Sequence, residues 1–208
     1  EGWGEDFPGA QEPTVSSASV KIAEEERERV WNAGFFFQNV LDVTNKYFLT
    51  LGLRVDGNSA FGEGFGLQVY PKASVSWVMS DEDFWPEAFG QVKLRAAYGQ
   101  SGRAPGAFDA VRTWDPVGYG GIPAFVPENV GNADLGPEIT SEFETGFDGS
   151  WAGDRVSAVF TYFNQKTTDA LMEVTQAPST GFTGSQLENV GELSNWGVEL
   201  GTNFGIIQ

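Results

Sequence analysis

Two carboxylates, Glu142 and Glu144, stand two positions apart in a stretch that alternates polar and apolar residues, Glu142-Phe143-Glu144-Thr145-Gly146-Phe147. In an extended strand they share one face, roughly 7 Å apart from the strand rise. That separation suits the acid and base of an inverting glycosidase. The plainer reading is a pair of carboxylates facing water, because two groups on one strand rarely flank a bond from both sides. A second acidic group, Ser80-Asp81-Glu82-Asp83 with Glu87 nearby, is a candidate calcium loop. It lacks the Asp-x-Asp-x-Asp-Gly spacing, and a solvated turn with a helix N-cap accounts for it more simply. Asp56-Gly57-Asn58 reads as hairpin turn chemistry rather than a ligand set. Gly62-Glu63-Gly64-Phe65-Gly66 echoes a glycine-rich phosphate loop, but no strand-to-helix transition or following lysine supports one, so it reads as a hairpin end. The last candidate is a long stretch holding Phe108, Trp114, Tyr119 and Phe125. Aromatic faces beside acidic acceptors suit the stacking of sugar rings, and Trp114, Tyr119 and Phe125 are the candidate substrate contacts. The alternative is an aromatic mini-core that keeps a long loop ordered.

Composition removes whole classes of chemistry. The 208 residues include no cysteine and no histidine. Disulfide frameworks, zinc-thiolate sites, Cys-His pairs and Ser-His-Asp triads are therefore excluded. Any metal would be held by oxygen ligands alone, and no cofactor is expected. The net charge of -17 repels phosphate backbones, so no nucleic-acid partner is expected. Glycine at 27 residues, aromatics at 14% and seven tryptophans point to many strands and turns. No apolar run of about 18 residues exists, so no transmembrane helix is expected. A membrane strand needs only about 10 residues of alternating polarity, and such a strand remains open.

The elements that position these groups follow a period of two. Tyr47, Leu49, Leu51, Leu53 and Val55 share one face; Phe48, Thr50, Gly52 and Arg54 share the other. Leu67 to Ser80 puts Leu67, Val69, Pro71, Ala73, Val75, Trp77 and Met79 against Gln68, Tyr70, Lys72, Ser74, Ser76, Val78 and Ser80. Gln91 to Gly99 repeats the pattern, as do Glu142 to Trp151, Arg155 to Tyr162 and Trp196 to Ile206. Val30 to Leu41 adds another strand, Thr14 to Ala23 a weaker one, and Glu24 to Arg29 reads as a solvated charge run. About eight strands result, several longer than the usual 5–6 residues of soluble sheets. Asp42-Val43-Thr44-Asn45 and Ala152-Gly153-Asp154 are tight connections, whereas Ser101 to Thr140 and Gln176 to Asn195 are long. If strands run up and down, the tight turns fall at one end and the long loops at the other, as in outer-membrane barrels. Alternation alone also fits a soluble β-sandwich or jelly roll. Aromatics near strand ends, Tyr47, Trp77, Tyr98, Trp151 and Trp196, would be interfacial anchors in a barrel and core in a sandwich.

Several stretches resemble a known family. Lys46-Tyr47-Phe48-Leu49, then Leu53-Arg54-Val55-Asp56-Gly57-Asn58-Ser59 with Phe61-Gly62, is similar to the strand and turn of SusC/RagA-type TonB-dependent outer-membrane proteins. So are Tyr70-Pro71-Lys72-Ala73-Ser74-Val75-Ser76-Trp77 and Lys93-Leu94-Arg95-Ala96-Ala97-Tyr98-Gly99-Gln100-Ser101-Gly102. Gly131-Asn132-Ala133-Asp134-Leu135-Gly136-Pro137-Glu138 resembles the family's "NPDLKPE" signature. Tyr162-Phe163-Asn164-Gln165-Lys166-Thr167-Thr168-Asp169-Ala170-Leu171, Pro178 to Phe182 and Asn189 to Leu200 complete the order. The resemblance covers roughly residues 46 to 201.

It implies an all-β fold of antiparallel up-and-down strands from a transmembrane β-barrel. Residues 1–208 would be a partial barrel domain, with no plug domain and strands missing at both ends. The family barrel closes with about 22 strands, so some eight strands should form an open, strongly curved sheet. The implied function is the barrel segment of a nutrient importer, for a glycan or peptide, in the outer membrane of a Gram-negative bacterium. The implied partners are outer-membrane lipid, a SusD-like surface lipoprotein and the TonB complex acting through the missing plug. The segment itself is expected not to be an enzyme. A soluble carbohydrate-binding β-sandwich and a jelly-roll glycoside hydrolase using Glu142 and Glu144 stand as alternatives.

Overall fold

The computed structural model describes residues 2–5, 20–23, 27–63, 66–182 and 184–205. Among these residues eleven strands run in chain order: β1 (Gly2–Glu5), β2 (Val20–Ala23), β3 (Asn32–Val43), β4 (Tyr47–Asn58), β5 (Gln68–Val78), β6 (Gln91–Arg103), β7 (Thr113–Tyr119), β8 (Ile122–Asn129), β9 (Glu138–Trp151), β10 (Val156–Thr175) and β11 (Ser185–Phe204). Seven of them form one antiparallel sheet in the order β11-β10-β9-β6-β5-β4-β3. The pairs β1-β2 and β7-β8 stand as separate two-stranded ribbons. The weak strand expected at Thr14 to Ala23 survives as β2; its first part lies outside the described residues, as do residues 24–26 of the charge run and residues 206–208.

The sheet is an up-and-down meander. Thr44-Asn45-Lys46, residues 79–90 and residues 152–155 connect strands at one end. Residues 59–67, 104–137 and 176–184 connect them at the other. The tight turns are built from left-handed residues. Thr44 and Asn45 have φ of 61° and 57°, and Ala152, Gly153 and Asp154 have 56°, 63° and 64°. Positive φ at successive turn residues matches the right-handed twist of the flanking strands. In the first turn, Asp42 Oδ1 accepts the Asn45 N–H at 2.9 Å.

The sheet has almost no interior. Among the described residues the buried apolar side chains are Ala60, Tyr70, Leu135, Ala170 and Phe182, at or near the loop end. Leu49, Val75 and Val198 are 37%, 48% and 64% exposed. The accessible surface is 14763 Å², where a compact soluble monomer of this mass would show about 9,500 Å². Among the described residues no second sheet covers the apolar face, which is what a sandwich or jelly roll requires. The edges β3 and β11 are not paired with each other, so the sheet is a partial barrel that does not close.

Four local expectations change. Ser101 to Thr140 is not a bare loop but carries the β7-β8 hairpin. Pro116, Pro123 and Pro127 and the Gly118-Tyr119-Gly120-Gly121 tip read as loop residues, yet an isolated ribbon has free edges where proline is tolerated. Gly120 and Gly121, at φ 60° and 81°, make its turn. Gln176 to Asn195 shrinks to residues 176–184, because Ser185 onward pairs with β10. Asp56 and Gly57 lie within β4 rather than in a turn; only Asn58 does turn work, its Oδ1 accepting the Ala60 N–H at 2.7 Å. Ser80 does not cap an α-helix. Met79–Asp81 form a single 3-10 turn behind Val78, with no side-chain cap.

Candidate functional site

Register turns the strand pattern into two chemically distinct faces. One row of Cα partners crosses all seven strands: Gln38, Gly52, Lys72, Gly99, Glu142, Gln165, Asn195. The next row on the same face is Val40, Thr50, Ser74, Ala97, Glu144, Phe163, Gly197. The opposite face carries the row Leu49, Val75, Ala96, Thr145, Tyr162, Val198. Tyr47, Trp77 and Trp151 mark the turn end of that apolar face; Tyr98 and Trp196, expected near strand ends, lie on it near mid-strand instead. Tyr47 stacks on Trp77 with centroids 6.1 Å apart.

The polar face is the concave one. A single cavity of about 500 Å³ is lined by Gln38 of β3 and by Gln165 of β10. A flat sheet would hold these strands about 24 Å apart, so the sheet curls around the cavity. Its walls bring together Lys72, Ser74, Glu142 and Glu144. Gln165 Nε2 donates to Glu142 Oε2 at 3.1 Å. Toward the turn end, Arg95 donates to Asp148 at 3.3 Å and to Thr161 Oγ1 at 2.5 Å. Lys93 Nζ lies 3.7 Å from Asp148. Toward the loop end, Arg54 is paired with Asp56 at 2.6 Å. Glu142 and Glu144 do share a face. The opposite wall of the cavity offers them Lys72 and Ser74, not a second carboxylate across a bond.

The loop end is tied into one block by the stretch 131–138. Gly136 N–H donates to Asn189 Oδ1 at 2.8 Å, and Asn189 Nδ2 donates back to Gly136 O at 3.0 Å and to Asp169 O at 2.8 Å. Asp169 has φ 54° and sits at an irregularity where β10 and β11 shift register. The Asn189 amide therefore replaces ladder bonds that the bulge removes. Gln186 Nε2 donates to Gly131 O at 2.7 Å, Asn132 Nδ2 to Leu187 O at 3.2 Å, and Gly62 N–H to Leu135 O at 2.8 Å. Leu135 is wholly buried at the centre.

The aromatic candidates do not converge. Trp114 meets Phe182 of the β10-β11 connection, centroids 6.1 Å apart, and the Arg112 guanidinium sits 5.5 Å from the same ring. Trp114 and Phe125 fall on one face of the β7-β8 hairpin, and Tyr119 on the other. Tyr119 is 81% exposed, and no two of Phe108, Trp114, Tyr119 and Phe125 stack on one another.

The Asp81 region has a different use from metal binding. Glu82 accepts from Tyr47 Oη at 2.5 Å and from Trp77 Nε1 at 3.0 Å, and lies 3.4 Å from Lys46 Nζ. The Tyr47 hydroxyl, then the Trp77 indole, then the Lys46 ammonium hold its carboxyl below the ordinary range. Among the described residues no group of three or more acidic side chains is placed to hold a metal ion.

Sequence reasoning missed Lys72, Gly52 and Gly99 as site residues. Their signal was present only as ordinary alternation; the register that lines them up with Glu142 is not a local property.

An alternating sheet with an exposed apolar band, an aromatic turn end, a polar concave face and turns and loops segregated to opposite ends defines the wall of a transmembrane β-barrel. The family model described as "TonB dependent receptor-like, beta-barrel" matches residues 3–207, and the chain belongs to that family. TonB-dependent receptor P26 of Formosa agariphila is 36% identical over 181 residues, covering 82% of this chain and 18% of that protein. TonB-dependent receptor SusC of Bacteroides thetaiotaomicron is 24% identical over 179 residues, covering 76% of this chain and 17% of its own length. Among solved structures, the RagAB peptide importer in its closed-closed state overlays with a TM-score of 0.82 at 23% identity, across 95% of this chain and 22% of that one. The siderophore receptor PirA of Pseudomonas aeruginosa gives 0.58 at 18% identity, across 89% of this chain and 32% of that one. The chain thus spans under a fifth of the length of the curated relatives cited. Both of those relatives are named as TonB-dependent receptors.

Proposed function

We propose that residues 1–208 supply barrel wall and outer loops to a TonB-dependent importer that takes up glycan or peptide fragments through a Gram-negative outer membrane. The observation that carries this reading is the row led by Leu49, Val75 and Val198, exposed on the convex face while Lys72, Glu142 and Glu144 occupy the concave one. Exposed apolar area of that extent is costly in water and neutral against lipid. The tight-turn end faces the periplasm and the 59–67, 104–137 and 176–184 connections face outward. The working protein adds a plug through which the TonB complex acts, and a SusD-like lipoprotein at the outer rim.

Trp114, Tyr119 and Phe125 lie on the outward hairpin β7-β8 and are the proposed substrate contacts. Trp114 and Phe125 share one face and can engage a ligand together; Tyr119 serves the opposite side. The segment transports nothing by itself and carries no catalysis. The test is nutrient uptake by cells expressing the full-length importer, intact or with residues 114–127 replaced by a short Gly-Ser link. Loss of uptake with normal surface abundance supports the reading. Unchanged uptake removes the hairpin from substrate capture.

A further inference from the structure

The charged groups of the concave cavity are held apart instead of neutralising one another. Lys72 and Glu142 occupy one row with only Gly99 between them, two strand spacings or about 10 Å at the backbone. A lysine and a glutamate at that spacing are within reach of an ion pair, yet none forms within 4 Å. The Lys72 stem lies the other way, flat over Gly52. A Cβ added at Gly52 would stand 2.6 Å from Lys72 Cε and 2.8 Å from its Cγ, so only glycine admits this path. Gly99 is open, with Lys72 Cβ at 3.9 Å its nearest neighbour. Gly99 and Ala97 thus form a low floor between a cationic wall and a carboxylate wall.

Neighbouring charges do not satisfy either wall. Arg54 is committed to Asp56, and Arg95 to Asp148 and Thr161. Lys72 has no carboxylate partner among the described residues. Among the described residues the Gln165 amide donates to Glu142 at 3.1 Å. Glu144 interacts directly with Glu142 and feels Arg95 at longer range. Two adjacent carboxylates repel when both are ionised, and a cation between them relieves that.

Resting on the importer reading, we propose that this slot binds a zwitterionic oligopeptide, its ammonium end against Glu142 and Glu144 and its carboxylate end on Lys72. With Lys72 directed over Gly52, the charged ends are about 10–14 Å apart, the span of three to four extended residues. Ser74, Thr50 and Gln165 offer hydrogen bonds to the peptide backbone along the way. A neutral glycan would use neither wall, and a polyanion would be repelled by the Glu142–Glu144 side.

The test uses the full-length transporter carrying this segment, purified in detergent and titrated with tetra-alanine. The same peptide is titrated with its N-terminus acetylated and with its C-terminus amidated. The free peptide should bind, and each cap should weaken binding about ten-fold or more, as loss of a charge-assisted bond does. Lys72→Gln should erase the difference between free and amidated peptide, and Glu144→Gln should shrink that between free and acetylated peptide. Heat-modifiable migration on gels verifies that both variants fold. Equal binding of the capped peptides, or no binding of the free one, overturns the proposal. Nutrient uptake by cells is scored separately. Uptake without end-group discrimination refutes the zwitterion site and leaves the importer intact; discrimination without any uptake refutes the importer instead.

Discussion

Asn189 and Gly136 exchange two hydrogen bonds, at 2.8 and 3.0 Å, across 53 positions of chain. One side-chain amide thereby mimics a strand partner for a stretch that has none. The third bond, to Asp169 O, seals the bulge in β10. The "NPDLKPE"-like motif is therefore structural here: it locks the entry of β9 to the projecting β10-β11 hairpin.

Replacing Asn189 by Ala leaves the Gly136 N–H and two carbonyls without protein partners. A cost of about 1–3 kcal/mol is expected, confined to the loop end. Hydrogen exchange should quicken at residues 131–138 and 168–175 and stay unchanged in β4, β5 and β6. Uniform quickening across the sheet would show that the bracket is not local.

Leu135 is the largest fully buried side chain among the described residues. Leu135→Ala should cost about 2–5 kcal/mol of the loop block's stability by leaving a cavity. The readout is protease cleavage within 104–137 and 176–184 on intact cells. Cleavage at the rate of the unaltered protein would contradict the assignment of Leu135 as the block's core.

Facing residues on one strand should respond oppositely to charge. Val75→Arg places a guanidinium on the apolar face near mid-strand and should cost about 2–4 kcal/mol of folding in a bilayer. Ser74→Arg, one residue away on the wet face, should cost close to nothing. Heat-modifiable folding into lipid vesicles measures both. Equal penalties would mean that the two faces see the same solvent.

The acid response of the turn end follows from Glu82. Its folded carboxyl titrates below the ordinary value of 4.5, chiefly through the Tyr47 hydroxyl. A depressed folded value means the stabilisation is complete above 4.5 and is lost as pH falls through the lower, folded value. Trp77 donates to the same carboxylate, so its fluorescence should hold steady down to about pH 4.5 and change below. Glu82→Gln should flatten that acid transition. An unaltered transition in the variant would place it elsewhere.

Much of the wall was legible in the residues. Seven of about eight strands expected from alternation are the seven of the sheet, and both tight turns fall where expected. The β7-β8 hairpin was hidden because its prolines and glycines mark loops, and a free-standing ribbon tolerates what a central strand does not. The Glu82 cluster was misread for a related reason. Three of its partners, Lys46, Tyr47 and Trp77, come from other positions in the meander, and no spacing near Glu82 announces them.

The sequence by itself determined the two-faced strands, since side-chain direction alternates with a period of two whatever the strand pairs with. It also determined two of the reversals, at 44–46 and 152–155, because short left-handed turns leave no other return. Tertiary structure alone decided the site. Lys72, Gly99 and Glu142 meet only through two successive registers, and a slip of one residue in either would turn a wall charge toward lipid. Asn189 finds Gly136 only because a bulge leaves donors and acceptors unmatched at that height. Such contacts depend on through-space register, which no local pattern encodes.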